Sequence, residues 1–590
     1  MTTTPRRRRT AHAEPDQLAE SNQPAEPAAE PTGVAVADAA ALGPADGGLE
    51  PTGHVVVSRD KAFGRVIGTV PATPPEDVQE VVDRAVAAWP AWAATPLAER
   101  LARIGRVRGL VLERIPELAR LATLETGKTI VEAVPMEMAV VADTCAWLEG
   151  HAERHLRVID PGTPQRVMLL GRTHRIHLDP YGVLAVIAPW NYPLAVASGP
   201  ILFGLAAGNA VVYKPSSHTP LLGQAFRDLL VDAGIPADLV GVVHGGAAVG
   251  EALIGARGIE KIFFTGSEPI GRRVMALAAA APEFPKPVVL ELGGKDAMIV
   301  LHDADLDRAA AGAAWAGFGH AGQTCGSIKR IYVDRRVADD FERLLAARAR
   351  DLVPGDPMDP RTQLGAVANA ESRDVVVELT RDALTRGARL VAGGPDPIRL
   401  PGAEPDAVGH LPATILADVP SDARLWHEEL FGPVVVLDTF ADEEEAVRLA
   451  DGSRFGLSAS VWSRGESRAR AIAERLDVGS VLVNDHLSTY GISQVGWTGR
   501  KASGFGVGRS RFGLWEVTRP KSIGTAPGWY RPAWWHPYDR QVGQGFAAAL
   551  RALYGTDPAE RIAAVRADVR GVRHLARRIL GSVSRPDRRR

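Results

Sequence analysis

The chain is expected to be an α/β protein of two doubly wound lobes with a small β arm, and three stretches predict it. Across residues 182–292 short apolar runs alternate with helical segments, which implies a parallel sheet with crossover helices. A second alternation runs from Ala297 to about Asn484 and reads as a second α/β lobe. Residues 157–179 alternate polar and apolar around Pro161-Gly162, as an extended hairpin does. An isolated hairpin is marginal until something covers it, so two lobes and an arm point to an oligomer. Sheets of this class take nucleotides at the carboxyl ends of their strands.

The elements follow in chain order. Residues 1–50 are rich in Ala, Pro, Glu and Asp, lack aromatics and read as a disordered extension. Its Arg6–Arg9 run has no apolar stretch behind it, so it is not a secretory signal, and a run this short reads as solvated. Thr73 before Pro74-Pro75 is a helix entry, a cap followed by first-turn proline. Val78, Val81, Val82, Ala85 and Trp89 then repeat at helical spacing, and helical texture continues to about His155. Strands are expected at 183–188, 210–213, 240–244, 261–264 and 288–290 in the first lobe, and at 328–333, 434–437 and 458–462 in the second.

Composition narrows the function. With 590 residues the chain holds two to four units. A formal charge of −2 gives no bulk attraction to nucleic acid or membrane, so such a partner needs a local patch. The most apolar stretch, 183–213, is broken by Pro189, Pro193 and Pro200, so no segment spans a bilayer. Two cysteines build no disulfide framework, and a cytoplasmic location is expected. Cys145 has apolar neighbours and reads as an inert packed thiol.

The other thiol carries the chemistry. Cys325 stands in Gly322-Gln323-Thr324-Cys325-Gly326, thirty-four residues after Glu291 in Glu291-Leu292-Gly293-Gly294-Lys295. A thiol nucleophile and a general base on glycine-marked turns are what an enzyme making and hydrolysing a thioester needs. These combine with Pro189-Trp190-Asn191-Tyr192-Pro193, Lys214-Pro215-Ser216-Ser217, Phe264-Thr265-Gly266-Ser267 with Gly271, and Glu428-Glu429-Leu430-Phe431-Gly432-Pro433. In order and spacing the six blocks resemble the aldehyde dehydrogenase superfamily, from about Pro51 to Lys521.

The resemblance implies a Rossmann-type cofactor domain (51–156 and 180–293), a catalytic domain (294–485) and an oligomerisation arm (157–179 and 486–523), assembling as a homodimer or homotetramer. It implies oxidation of a small-molecule aldehyde to the acid with NAD or NADP. Cys325 attacks the carbonyl, Asn191 and the Cys325 N–H hold the oxyanion, hydride leaves for the nicotinamide, and Glu291 activates water against the thioester. A free thiol titrates near ~8.5, so Cys325 needs help to ionise. Relatives that pass the acyl group to coenzyme A usually lack the glutamate, so Glu291 favours a free acid. Cofactor contacts are implied for Trp190, Lys214, Ser217, Gly266, Ser267, Gly271, Leu292, Glu429 and Phe431; no metal is implied. Gly266, Ser267 and Gly271 mark the turn where a pyrophosphate approaches helix amides.

Departures bear on specificity. Ser217 stands where many NAD-preferring relatives have glutamate; a carboxylate there would repel a 2′-phosphate and serine does not, so NADP is expected to be accepted, while a neutral substitution would leave NAD as the main cofactor. His320 replaces a common asparagine and reads as structural, against a Cys325/His320 hydrolase. His427-Glu428 lacks the second histidine of a zinc site. Near the C-terminus Gly499, Lys501, Ser503 and Gly504 match a family motif, with Thr498 replacing a usual glycine; Trp190, Tyr192 and Trp497 are candidates for the tunnel entrance. A narrower reading is succinate-semialdehyde dehydrogenase, with Arg330 and Arg500 as candidate cations for the substrate carboxylate. A non-catalytic structural or binding member is the competing class, and intact Asn191, Glu291 and Cys325 speak against it.

Residues 524–590 form an aromatic, basic extension. Trp529, Tyr530, Trp534, Trp535 and Tyr538 surround Pro532 and Pro537, and from Arg531 onward 13 basic residues face 5 acidic ones, a net of +8. Aromatics beside a basic amphipathic helix fit a membrane interface. Packing against protein is preferred here, because clustered tryptophans bury well.

Overall fold

The computed structural model describes residues 54–162, 172–526, 532 and 534–581. The N-terminal extension, the hairpin tip and Trp529-Tyr530 lie outside the described residues. Each expected strand forms, with ends displaced by a few residues.

The first sheet has six strands in the order Gly504–Phe505, Val288–Glu291, Ile259–Thr265, Val183–Ile187, Ala210–Lys214 and Val240–Val242. All neighbours are parallel except Gly504–Phe505, which pairs antiparallel with Val288–Glu291. Its central strands are apolar on both faces because helices cover both, as crossover connections require. Leu184, Val212 and Ile262 from the sheet are buried with Ile201, Phe226 and Val82 from the helices. The helix Ala195–Ala207 is apolar all round and buried nearly throughout, as a helix enclosed within a lobe is.

The second sheet has seven strands in the order Arg389–Ala392, Thr414–Ala417, Val434–Phe440, Ile328–Asp334, Asp296–Val300, Ser458–Trp462 and Ser480–Val483. Only Arg389–Ala392 runs antiparallel to its neighbour. Asp296–Val300, buried throughout, leads directly on from Glu291 through Gly293 and Gly294, so a five-residue step carries the chain from one sheet to the other.

Two expectations need correction. Among the described residues, 157–179 do not form a self-contained hairpin. Thr173–Pro180 pairs along its whole length with Thr518–Thr525, and among the described residues only the bridge Ile159–Ile176 is local. Alternation identifies a strand but not its partner, which here lies more than 300 residues away. Thr73 is not a helix cap: a short 3₁₀ turn, Pro75–Asp77, precedes the helix Val78–Ala94, and the Thr73 hydroxyl accepts the His244 N–H at 3.1 Å. Prolines at 74 and 75 start the turn without side-chain help. Cys145 is buried in the helix Ala139–Leu156, and burial pushes its thiol up to about 12.

A candidate active site at Cys325

The carboxyl ends of the first sheet converge on Cys325. Glu291 ends one strand; Gly266-Ser267 follow the next and open the helix Glu268–Ala279; Trp190-Asn191 follow a third. With Gly293, Leu292, Glu429, Phe431 and Cys325 these residues line one cavity of about 330 Å³.

Cys325 is half-buried after a turn with left-handed backbone at His320, Ala321 and Gly322. At Gly322 a Cβ would sit 2.2 Å from the Gly432 carbonyl oxygen, so the turn is open only to glycine. Gln323 fixes the turn by donating to the Ala366 carbonyl at 3.2 Å and accepting from the Ala368 N–H at 2.8 Å. Burial, with the Glu291 and Asp296 carboxylates next, pushes the Cys325 thiol far up, so it needs a nearby base.

Glu291 has the properties of that base. Burial raises it to about 7, and the Arg509 guanidinium opposes the rise. Its carboxylate lies against Gly508, where a Cβ would be 2.4 Å from Oε1. Asn191 is buried and donates one amide N–H to the Gln323 carbonyl at 3.1 Å. Its second N–H remains for the cavity that it lines. Behind it the buried Lys128 Nζ donates to the Asn191 carbonyl at 2.9 Å and pairs with Glu137, whose other oxygen accepts the Leu194 and Ala195 N–H groups. The Cys325 N–H has no partner among the described residues. Two donors therefore remain available beside the thiol.

The remaining predicted residues divide. Trp190 meets Phe431 edge-on at 5.5 Å, and the Glu429 carboxylate, raised by burial to about 7, accepts the Gly294 N–H at 3.2 Å. A Cβ on Gly293 would strike the Glu429 carboxylate at 2.2 Å, and one on Gly271 would strike Leu292 at 2.5 Å, so backbone and helix approach this cavity as closely as glycine permits. Such a cradle fits a dinucleotide, with Gly266 and Ser267 presenting backbone at a helix start. Lys214 and Ser217 do not line this cavity. Lys214 ends its strand beside Gly250, lowered by burial to about 8, and Ser217 lies half-buried in the following turn.

His320 is not a partner for Cys325. It is fully buried, packs edge-on against Tyr192 at 5.5 Å and lines neither cavity that reaches the thiol, and burial holds its pKa well below the usual value. Arg330 and Arg500 are not substrate cations. Arg330 is buried and donates to the Lys295, Leu449 and Ala450 carbonyls at 2.8, 3.0 and 2.9 Å, while Arg500 pairs with Asp477 at 3.0 Å.

Arg509 escaped sequence reasoning. It is buried, donates to Thr144 Oγ1 at 3.1 Å and Ser493 Oγ at 3.2 Å, and covers the Tyr490 ring at 4.4 Å. Its partners are distant in sequence, and only the preceding Gly506-Val507-Gly508 hints at a special backbone.

A second cavity, of about 280 Å³, also reaches Cys325. Met136, Val140, Val196, Leu487, Tyr490 and Trp497 are among the residues of its wall; Asp485 is its only acidic residue, His486 its only histidine, and it has no Lys or Arg. Tyr192, whose hydroxyl bonds Thr324 Oγ1 at 2.7 Å, lies between this cavity and Lys128.

Comparison with known proteins agrees with this geometry. The aldehyde dehydrogenase family matches residues 50–523. A 4,4'-diapolycopene aldehyde oxidase of Methylomonas sp is 36% identical over 501 residues, covering 84% of this chain and 90% of that protein. A betaine aldehyde dehydrogenase of Sinorhizobium fredii is 35% identical over 473 residues, 80% and 94% of the two chains. Among solved structures, an indole-3-acetaldehyde dehydrogenase complexed with NAD+ superposes with TM-score 0.76 at 32% identity, over 81% of this chain and 95% of that one. An NADP-dependent enzyme of E. coli does so with TM-score 0.74 at 33%, over 80% and 95%. The chain belongs to the aldehyde dehydrogenase family and is an aldehyde-oxidising enzyme that uses NAD or NADP.

Proposed function

We propose that the enzyme oxidises a hydrocarbon-rich aldehyde to the free carboxylic acid through a covalent thioester on Cys325. The observation that carries the substrate class is the cavity wall of Met136, Val140, Val196, Leu487, Tyr490 and Trp497, which holds no Lys or Arg. A carboxylate-bearing aldehyde such as succinate semialdehyde would enter that wall without a counter-ion and beside Asp485, at a desolvation cost.

Glu291 takes the Cys325 proton, and Sγ then bonds to the aldehyde carbon. The charge gathered on oxygen is met by the free Asn191 amide N–H and the Cys325 N–H. Trp190, Gly266, Ser267, Gly271, Leu292, Glu429 and Phe431, with Lys214 and Ser217 further out, would hold a dinucleotide, which would supply the acceptor for the hydride that leaves the former aldehyde carbon as the thioester forms. Glu291 passes the Cys325 proton to solvent and then removes a proton from water, water oxygen bonds to the acyl carbon, and the C–S bond breaks to return the thiolate. Ser217 presents no carboxylate to a 2′-phosphate, so we assign NADP as well as NAD. We infer a cytoplasmic homo-oligomer in which the exposed ribbon of Thr173–Pro180 and Thr518–Thr525 is covered by another subunit.

A second reading rests on Asp485 with Tyr490 and Trp497, which together suit a quaternary ammonium aldehyde. Steady-state kcat/KM for decanal, betaine aldehyde and succinate semialdehyde separates the readings. The apolar reading predicts decanal at least about 100-fold above succinate semialdehyde, as a lost buried counter-ion implies. Highest kcat/KM with betaine aldehyde would favour the second reading, and with succinate semialdehyde would reject both.

A further inference from the structure

The C-terminal extension folds mainly on itself. Its helices Arg540–Tyr554, Pro558–Ala567 and Val569–Gly581 form a small bundle in which Val542, Gly545, Ala548 and Leu575 are buried. Gly545 and Gly571 bring the first and third helices together, since a Cβ on Gly545 would lie 2.4 Å from the Gly571 carbonyl. Arg172, at the foot of the two-stranded ribbon, covers the Trp534 ring at 5.3 Å and ties the bundle to the body.

What the bundle leaves outward is of two kinds. Leu550 and Leu553 on the first helix, Ile562 and Val565 on the second and Val569 on the third are exposed, Leu550 by 46% and Ile562 by 54%. Trp535 and Tyr538, before the first helix, are 55% and 64% exposed, so the expected burial of the tail aromatics is not met at these two positions. Around them stand exposed Arg551, Arg561, Arg566, Arg570, Arg573 and Arg577. In the body, arginines such as Arg84, Arg389 and Arg424 sit in carboxylate pairs. Among the described residues none of those tail arginines has a carboxylate within ion-pair distance.

We propose that the bundle is a docking surface for an anionic lipid bilayer. Apolar side chains enter the acyl boundary, Trp535 and Tyr538 sit at headgroup level, and the guanidinium groups, which lack carboxylate partners, meet lipid phosphates. A second copy of the same bundle, residues 540–581 with 8 arginines against 3 acidic residues, would bring +5 against +5, and like charges oppose that contact. A nucleic acid would satisfy the arginines and leave Leu550, Ile562 and Val565 against water. The enzyme stays peripheral, because among the described residues no helix is long and apolar enough to cross a membrane. This inference does not depend on which aldehyde is the substrate.

The test is flotation of the full-length enzyme with vesicles of phosphatidylcholine alone or with 30% phosphatidylglycerol added. Two triple variants accompany it: Leu550→Ser/Ile562→Ser/Val565→Ser, and Arg561→Gln/Arg566→Gln/Arg570→Gln. Oxidation of propanal by both variants at the parent rate establishes that the body folds, and amide hydrogen-exchange protection of the helix Arg540–Tyr554 at the parent level establishes that the bundle does. The expected result is flotation with the anionic vesicles only. The bound fraction should drop at least fivefold in 0.5 M NaCl, where exposed charges are screened, and in each triple variant. Absence of flotation, or flotation equal in parent and variants, overturns the proposal. So does light scattering in which the apolar triple lowers the oligomer while vesicle binding is unchanged, since the occupant is then a second copy.

Discussion

At Cys325 a nucleophile and its base share one poorly solvated pocket, and the base disfavours charge on the nucleophile. Burial raises Glu291 to about 7 and pushes the Cys325 thiol further still. The working form of Glu291 is the carboxylate, so turnover should fall as pH drops through about 7, giving an acid limb in a kcat–pH profile. Glu291→Gln should abolish that limb and lower kcat by roughly a hundredfold or more, the usual range for a lost general base. Cys325→Ser should remove aldehyde oxidation altogether while leaving dinucleotide binding, measured by fluorescence titration, near the parent value. Arg509 is the cation that opposes the rise at Glu291, so Arg509→Met should move the acid limb upward and cut kcat/KM at pH 7 several-fold. Arg509→Lys should restore most of the position of the limb. A purely structural role for Arg509 would lower Tm and leave the limb in place.

At the scale of elements, the Asn191 segment is held from behind. Lys128 and Glu137 form a fully buried pair that bonds the Asn191 carbonyl on one side and the N–H groups opening the helix Ala195–Ala207 on the other. Removing one member leaves the other buried and unpaired, so Lys128→Met should cost about 3–5 kcal/mol and reduce Tm in calorimetry. Gly508 plays the corresponding part for Glu291. Gly508→Ala would drive a Cβ to 2.4 Å from the carboxylate, so kcat should fall at least tenfold with little change in Tm. The strands and crossover helices that carry these parts were legible, because apolar runs of four to seven residues between helical segments read directly as buried parallel strands. The motifs that follow those strands named Glu291, Asn191 and Gly266, which with Cys325 line one cavity. Arg509, Lys128 and Glu137 were not legible, since each acts through partners with no local pattern. The ribbon's second strand, Thr518–Thr525, was reached only through the family resemblance, which puts 486–523 in the arm, because its pairing is set by the fold of two lobes and not by a local pattern.

The whole molecule combines a family-sized body with a bundle that the body does not need for its core. The chain passes from one sheet to the other through Gly293-Gly294, and the cofactor-side cavity and the apolar cavity both reach Cys325, sharing Val196 and Tyr490 as wall. Sequence motifs identified the reaction, but the substrate class depends on what the cavity wall lacks, and an absent cation is visible only once side chains are placed. Arg330 shows the difficulty: a charged residue five positions beyond the nucleophile was a reasonable candidate, yet each of its three nitrogens donates to a carbonyl or to Tyr332. The central claim is that an acyl group rides on Cys325 until Glu291 delivers water, and Glu291→Gln isolates that moment. The enzyme variant should be mixed with NAD+ and decanal, NADH followed by stopped flow, and the protein digested for mass spectrometry. Because Glu291 also takes the Cys325 proton, the burst should be slower than the parent's first turnover, and the account predicts about one NADH per site in it, negligible turnover after it, and a decanoyl adduct on the Cys325 peptide. Steady turnover without a burst, or an adduct on another residue, would contradict it.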